Sequence, residues 1–457
     1  MREYILHPWR VSMRNNCHDR FEPLIKSDLN PIFSGEKPWE PRTAWPTVLY
    51  IPEEDLFKMW YLAIVEGEED PSDILIVDNA VVKKNKFYIC YAESSDGIKW
   101  KEPELNIMKT DLYPNNNIIM ENTGRYVDGP SVAYDPQDKN PGRRYKAAYY
   151  EHDGSKMGVR TKVSPDGIHW TEEGQFPVLP SQDAMKMFHD RKTGMFHMLL
   201  KDRVLKRRSR LISSSSDFIN WSEPRQFLVP NLGDTDTTNF YDMCLFEHGD
   251  IYMAFATVFD ASTQFSHSEL IMADPGSTAE RFPSRPAVLK PGDYGKWDGG
   301  GIYTSSGAPI EYKGKMRYYY YGSSRRHDSY LFREKYKEQL GYENKWTGLG
   351  FAEYDKGRLL GQQFLGEGFL ETTAIRKSGE KLFIDAVAPD GIKVCATRCG
   401  YSVPFEGFSI DDCNVICGDG LLEVTWNGKN IYDIEDEYIR LRVEGKNAIV
   451  YGFRFEE

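Results

Sequence analysis

A turn written three times constrains this chain more than any other feature. Residues 94–100 read SSDGIKW, residues 164–170 SPDGIHW and residues 215–221 SSDFINW. Asp beside Gly between two extended runs is a hairpin-turn signal. Gly takes positive φ without steric cost, and Asp can bond the amides of its own turn. The third copy carries Phe218 where Gly stands in the others, which predicts a different turn there. Trp follows the Asp by four residues in every copy, at Trp100, Trp170 and Trp221, and reads as a wedge packing each turn against a neighbour. The Asp residues are 96, 166 and 217, so the gaps are 70 and 51 residues, and each interval holds about four strand-like runs. Four strands per unit, repeated every several tens of residues, is the sequence signature of a propeller whose blades bury their faces against one another.

Counting onward gives five units. The first runs from WPTVLY to Trp100, and two more without the turn motif lie at residues 239–272 and 297–356. Helical periodicity is weak, and only DSYLFREKYKEQLGY, residues 328–342, reads as a helix inserted in the last blade. After about residue 362 come alternating strands with Gly, Asn-Gly and Asp turns, such as LLEVTWNGKNI and YIRLRVEGKNAIVYGFRFE. The expected fold is therefore all-β: a five-bladed β-propeller over residues 1–361 and a C-terminal β-sandwich over residues 362–457.

Composition narrows the function classes. A net charge of −12 opposes phosphate backbones, so nucleic acid is not an expected partner. One basic run, KDRVLKRRSR at 201–210, reads as a solvated strand or loop, with a patch for an anionic ligand as the alternative. No run of apolar residues is long enough for a membrane helix, and MREYILHPWR lacks a signal-like apolar core. The seven cysteines are odd in number and form no C-x-x-C, which fits a reducing, cytoplasmic setting. Two C-x3-C pairs, Cys395/Cys399 and Cys413/Cys417, match zinc spacing poorly, so no metal is expected. Aromatics reach 14%, which suits pleated sheets and also sugar-binding clefts.

The propeller-plus-sandwich pattern with its S-x-D-G-x-x-W turns resembles glycoside hydrolase families 32 and 43. More narrowly, it resembles uncharacterised bacterial family-32-like hydrolases. The matching stretches are FKMWY (57–61), YAESSDGIKW (91–100), DPQDKNPGRRYKAAYY (135–150), FYDMCLFEHGDIYMAF (240–255), KWDGGGIYTSSGAPI (296–310) and the tail ending VYGFRFE. The resemblance implies three carboxylates at the axial end of the propeller: a base or nucleophile, a transition-state stabiliser and a general acid. Cleaving a glycosidic bond needs at least a flanking pair, one protonated and one ionised.

Innermost strands bring their first residues to the axis, and those starts read WEPRTAWPTV, RYVDGPSV, SQDAMKMF, TTNFYDMCLF and KWDGGGIY. Asp128 matches the families' second-blade stabiliser. Asp183, Asp242 and Asp298 open the next three blades. The families' first-blade Asp is absent; the nearest candidate there is Glu40, or an acid of the N-terminal segment such as Asp19. The family-32 Glu-Cys motif is absent too, and Asp242 in YDMC is a loose analogue. Arg42 and Arg125 can hold a carboxylate ionised or grip a hydroxyl. Trp39, Trp45 and Trp297 can stack on a sugar face, and His327 follows the last blade's apolar strand toward the rim. Each has a structural alternative: a turn Asp, a surface ion pair or a core ring. The resulting expectation is a glycosidase acting on a small oligosaccharide, a fructo- or arabino-type furanoside, with no cofactor. A non-catalytic carbohydrate-binding propeller is the alternative.

Overall fold

The computed structural model describes residues 2–65, 75–77, 80–82, 85–109, 112–121, 126–183, 185–327 and 347–457. The helix expected at 328–342 lies outside them. The chain divides into two compact units. One holds Leu24–Phe246 and Met253–Glu353; the other holds Met1–Pro23, Glu247–Tyr252 and Tyr354–Glu457.

The larger unit contains five antiparallel blades. Blade 1 is Arg42–Ile51, Leu56–Val65, Lys86–Ser94 and Ile118–Glu121. Blade 2 is Tyr126–Tyr134, Tyr145–His152, Met157–Ser164 and Thr171–Glu173. Blade 3 is Lys186–Asp190, Met195–Val204, Arg207–Ser215 and Arg225–Leu228. Blade 4 is Thr238–His248, Ile251–Asp260, Phe265–Ala273 and Ala279–Arg281, with Ala287–Leu289 also on its third strand. Blade 5 takes Gly301–Thr304, Lys315–Ser323 and Thr347–Asp355 from its own stretch. Its fourth strand, Ile25–Lys26, comes from the N-terminal segment and pairs with Ala352 and Glu353. No α-helix occurs among the described residues.

The blades stack because their middle strands are apolar on both faces. In LFKMWYLAIV (56–65), Phe57, Met59, Tyr61 and Ala63 pack toward Tyr319, Leu349 and Phe351 of blade 5. Trp60, Leu62 and Ile64 pack toward Val132, Tyr145 and Tyr149 of blade 2. Side chains on a strand alternate with a period of two, so one strand serves both seams.

The repeated turn ties the blades together, and all three copies share one geometry. The carboxylate of Asp96, Asp166 or Asp217 accepts from the amides two and three residues on, each at 2.8 Å. The hydroxyl of Ser94, Ser164 or Ser215 accepts from the amide three residues on, at 2.9 Å. The third turn does not differ, contrary to the expectation from Phe218. Phe218 takes φ +66° where Gly97 and Gly167 take +69° and +81°. Its ring is fully buried against Phe196 and Trp221, and that burial offsets the strain of a left-handed non-glycine residue. Each turn also docks on the preceding blade through its carbonyls. Arg317 and Tyr319 of blade 5 donate to the Asp96 and Gly97 carbonyls, Trp60 of blade 1 to Gly167 and Arg143 of blade 2 to Asp217, at 2.7–2.8 Å. The turn itself is the wedge, and its Trp supports it, as Trp170 does by donating to Gly167 O at 3.0 Å.

In the smaller unit, two long strands carry the sheet between layers. Lys381–Arg398 pairs with Ile449–Glu456 in its first half and with Tyr438–Lys446 in its second. Leu360–Thr372 does the same. The result is a β-sandwich around Trp426, Phe453, Leu441 and Ile384. The boundary read at 361/362 leaves the first residues of the chain with the propeller. In the structure Arg2–Ile5 pairs with Ile449–Glu456, and Val11–Phe21 pairs with Leu360–Thr372.

Candidate active site

The starts of the inner strands of blades 2, 3 and 4 carry a buried charged cluster. Asp128 lies just inside Tyr126–Tyr134, where Gly129-Pro130 breaks the pairing register. Pro130 has no amide hydrogen to give the ladder, so the strand bulges there. The Asp128 carboxylate turns back to accept from the Gly129 amide at 2.8 Å. A Cβ at Gly129 would fall 2.3 Å from the Trp45 Cβ, so only glycine lets blades 1 and 2 approach this closely. Trp45 itself stands at φ +44° beside a bulge and stacks on Tyr321 with ring centroids 6.0 Å apart.

Asp242, on the inner strand of blade 4, has 0% exposure. Neither of its carboxylate oxygens has a hydrogen-bond partner among the described residues. The Lys186 ammonium, from the start of the blade 3 inner strand, lies 3.9 Å from Asp242 Oδ2. Burial pushes the Lys186 ammonium below its ordinary value, while Asp242 and Asp128 pull it back up. One lysine thus feels both carboxylates, which places Asp128 and Asp242 in one electrostatic neighbourhood. Asp183 stands 2.6 Å from the ammonium of Lys201. Arg210 joins the two halves. It donates to the Phe240 carbonyl at 3.0 and 3.2 Å, and burial lowers it to about 10 against the opposing pull of Asp242 and Asp183.

Tyrosines wall this cluster. Burial raises the Tyr126 and Tyr241 hydroxyls well above their ordinary value, with Asp128 and Asp183 adding to the effect on both. The Arg208 guanidinium lies over the Tyr241 ring at 4.6 Å, and His327 Nε2 is 3.3 Å from the Tyr241 hydroxyl. Arg42 interacts with the Tyr321 hydroxyl. Asp128, Asp183, Asp242, Arg42, Trp45 and His327 are therefore brought to one region. Arg125 lies outside the described residues.

The remaining candidates sit in other networks. Glu40 is buried and bonded to the Tyr61 hydroxyl, which also lies 3.3 Å from Glu102 Oε1. Burial, with Glu102 alongside, pushes the Glu40 carboxyl up to about 8. Trp39 joins this network by donating to Asn117 Oδ1 at 2.9 Å. Asp298 pairs with Lys26 at 2.5 Å and accepts from Tyr320 at 3.2 Å, while Trp297 lies against the Tyr320 ring. Tyr61 packs with Tyr319, Leu349 and Phe351 of blade 5, whereas Trp60 and Tyr321 belong to the cluster that also holds Trp45 and Tyr241. Asp19 is bonded to Arg14 at 2.5 Å in the sandwich unit.

The sequence pattern did not single out Lys186, Lys201, Arg208 and Arg210 as site residues. The run at 201–210 is not a solvated strand. Leu205 and Lys206, at φ +49° and +67°, turn a tight hairpin that sets Lys201 opposite Arg210. Lys201, Arg208 and Arg210 are all buried. Their spacing from a central turn was the available signal.

No protein-family model matches the chain, and neither does any curated protein. Similar solved structures exist at low identity. A β-1,2-mannobiose phosphorylase from Listeria innocua is 13% identical with a TM-score of 0.51, over 74% of this chain and 98% of that one. A glycosyl hydrolase from Bacteroides ovatus is 14% identical with a TM-score of 0.48, over 78% and 98%. A family 43 arabinoxylan arabinofuranohydrolase from Bacillus subtilis is 11% identical with a TM-score of 0.39, over 95% and 99%. At such identities the likeness is one of fold. No helix among the described residues is long and apolar enough to cross a membrane, and no group of His, Cys, Asp and Glu among them could hold a metal ion.

Proposed function

We propose that this chain is a carbohydrate-active enzyme that cleaves the glycosidic bond of a small oligosaccharide with carboxylates at the propeller axis. The observation that carries the proposal is Asp242: a fully buried carboxylate with no hydrogen bond among the described residues, beside Lys186. Leaving a buried acceptor unmade costs about 1–3 kcal/mol and more for a charged group, so such a group in a folded protein calls for an explanation. A hydroxyl-rich substrate supplies the missing donors. Asp128, held by the Gly129 amide, serves as the stabiliser of the oxocarbenium-like transition state. Asp183 and Asp242 divide the acid role and the base or nucleophile role between them. Arg42, Trp45 and His327 line the approach; Glu40 is bonded within blade 1 to Tyr61, and Asp298 within blade 5 to Lys26 and Tyr320.

The furanoside class, fructo- or arabino-type, rests on the sequence resemblance and is the first arm of the test. The names of the fold neighbours add a second arm, β-1,2-mannobiose. Purified protein is incubated with both arms, alone and as Asp128→Asn and Asp242→Asn. Sugar release by wild type, lost in both variants while each remains folded at the assay temperature, supports the proposal. The pairing of Asp183 with Lys201 favours a second reading, a carbohydrate-binding propeller without turnover. It predicts ligand-dependent thermal stabilisation and no product.

A further inference from the structure

The sandwich unit carries a polar cluster that the axial chemistry does not use. On its sheet, Leu370, Leu441 and Ala396 face the core. Side chains alternate along a strand, so Glu371, Arg440 and Thr397 face the other way. Register sets Thr397 directly opposite Arg440, and Glu371 opposite Arg442, two residues further along the same strand. Tyr438 stands two residues before Arg440 and shares its face. The turn Arg398–Val403, closed by a bond from the Arg398 amide to the Val403 carbonyl, reaches this face through Ser402. Ser402 takes φ +50°, and Tyr401 beside it is 82% exposed.

Glu371 has 0% exposure. Its Oε1 accepts from the Ser402 hydroxyl at 2.6 Å and from Arg440 at 2.8 Å. Its Oε2 has no hydrogen-bond partner among the described residues, and neither has the hydroxyl of Thr397, which is 1% exposed. A buried polar group left without a partner is costly, and two on one sheet face call for an explanation. What is left over defines the partner's chemistry. Glu371 offers an acceptor. Arg440 spends one terminal nitrogen on Glu371 and Ser402, out of the five N–H donors of a guanidinium. The ion pair is neutral as a whole, so it favours neither an anion nor a cation. A hydroxyl both donates and accepts, which matches an acceptor beside a donor, and Thr397 can take a second hydroxyl. The exposed rings of Tyr401 and Tyr438 offer amphipathic faces for the apolar side of a sugar.

We infer that this face of the sandwich is a second carbohydrate-binding site, built for a neutral glycan. Binding lifts the Ser402 hydroxyl off Glu371 and places sugar hydroxyls on Glu371 Oε2, Arg440 and Thr397. The turn that must move is exposed at Tyr401 and Val403. The site holds sugar and does not cut it: Glu371 is clamped by Arg440, and one clamped carboxylate does not supply the protonated and ionised pair that cleavage needs. The inference is independent of the axial chemistry, because every residue it uses lies in the sandwich unit.

The test is affinity electrophoresis of the full chain in native gels containing levan, arabinan or mannan, with polygalacturonate as the charged comparison. At least one neutral polysaccharide is expected to retard the chain, and polygalacturonate is not. Thr397→Val is the sharpest variant, because it keeps the side-chain shape and deletes the unpartnered hydroxyl. A merely structural hydroxyl predicts unchanged retardation. The inference predicts binding weakened about two- to tenfold with no fall in melting temperature. Tyr401→Ala weakens binding as well, whereas Tyr294→Ala, at an exposed tyrosine of the propeller unit, leaves it unchanged. Glu371→Gln loses roughly tenfold or more; if it does not fold, the Thr397 and Tyr401 variants still decide. No retardation by the neutral polysaccharides, retardation by polygalacturonate alone, or retardation indifferent to Thr397→Val and Tyr401→Ala overturns the inference. Retardation lost in Asp242→Asn but kept in Thr397→Val assigns the binding to the axis and overturns it too. The expected pattern without sugar release leaves the inference standing and removes the glycosidase reading; sugar release without that pattern does the reverse.

Discussion

Lys186→Met is the perturbation that most sharply probes the axial cluster. The Lys186 side chain is buried and its ammonium is 3.9 Å from Asp242 Oδ2. Methionine fills nearly the same volume, so packing changes little. What changes is the charge balance: Asp242 loses the ammonium beside it and has no hydrogen bond to fall back on among the described residues. Removing one partner of a buried pair costs about 3–5 kcal/mol. With roughly 1.5 °C per kcal/mol for a unit of about 320 residues, the melting temperature falls by about 4–8 °C. Lys186→Met with Asp242→Asn removes both charges, and replacing both partners of such a pair is often close to neutral. The double variant should therefore recover most of the loss, although each substitution alone abolishes or weakens function. The assay is thermal unfolding of wild type, both single variants and the double, read as a thermodynamic cycle. A single variant within about 2 °C of wild type, or a double variant no better than Lys186→Met, would refute the argument that this pair is buried and coupled.

Three further outcomes follow from the geometry. Gly167→Ala must destabilise by more than Gly194→Ala: both glycines have positive φ, but a Cβ at Gly167 meets the Trp60 ring at 2.7 Å while Gly194 has open space, so the melting-temperature gap measures the blade 1–blade 2 seam. Phe218→Gly relieves the φ +66° strain yet loses a fully buried ring, and the ring dominates, giving a net loss of about 2–4 kcal/mol in chemical denaturation. Glu40, pushed up to about 8 by burial, stays protonated in the folded chain while an unfolded glutamate ionises near the ordinary 4.5. Folded protein then binds the extra proton between those values, so stability falls as pH rises from about 4.5 to about 8 and levels off above; Glu40→Gln should flatten that slope in melting temperatures measured across the range.

The blade count was legible because propeller turns are local. Ser94, Asp96 and Gly97 satisfy each other's backbone within a few residues, so the motif survives as a string. Phe218 shows the limit of that reasoning. Residue identity predicted a new turn, but tertiary burial of the ring offset the strain of a glycine-like φ. The closing strand Ile25–Lys26 was invisible, since two residues carry no periodicity and its partner lies more than three hundred positions away. Among the candidate site residues, Asp128, Asp183 and Asp242 were read from the starts of inner strands and neighbour the same buried cations. Asp298 and Glu40 stand in non-strand segments just ahead of their inner strands and are bonded to Tyr320 and Tyr61, a choice of partner that strand periodicity does not encode. The cations of 201–210 were missed because a basic run most often faces water. Only the hairpin's register shows that Lys201, Arg208 and Arg210 are inside.

The most direct test of the whole account compares two carboxylate variants under one assay. Wild type, Asp242→Asn and Glu40→Gln are given the same oligosaccharide panel at neutral pH, with melting temperatures recorded alongside. The axial site predicts that Asp242→Asn loses turnover by about 100-fold or more while remaining folded, as removal of an acid or base group does. It predicts that Glu40→Gln keeps its activity, because that carboxyl belongs to the Tyr61 network within blade 1. Turnover retained by Asp242→Asn and lost in a folded Glu40→Gln would move the chemistry off the axis and contradict the account.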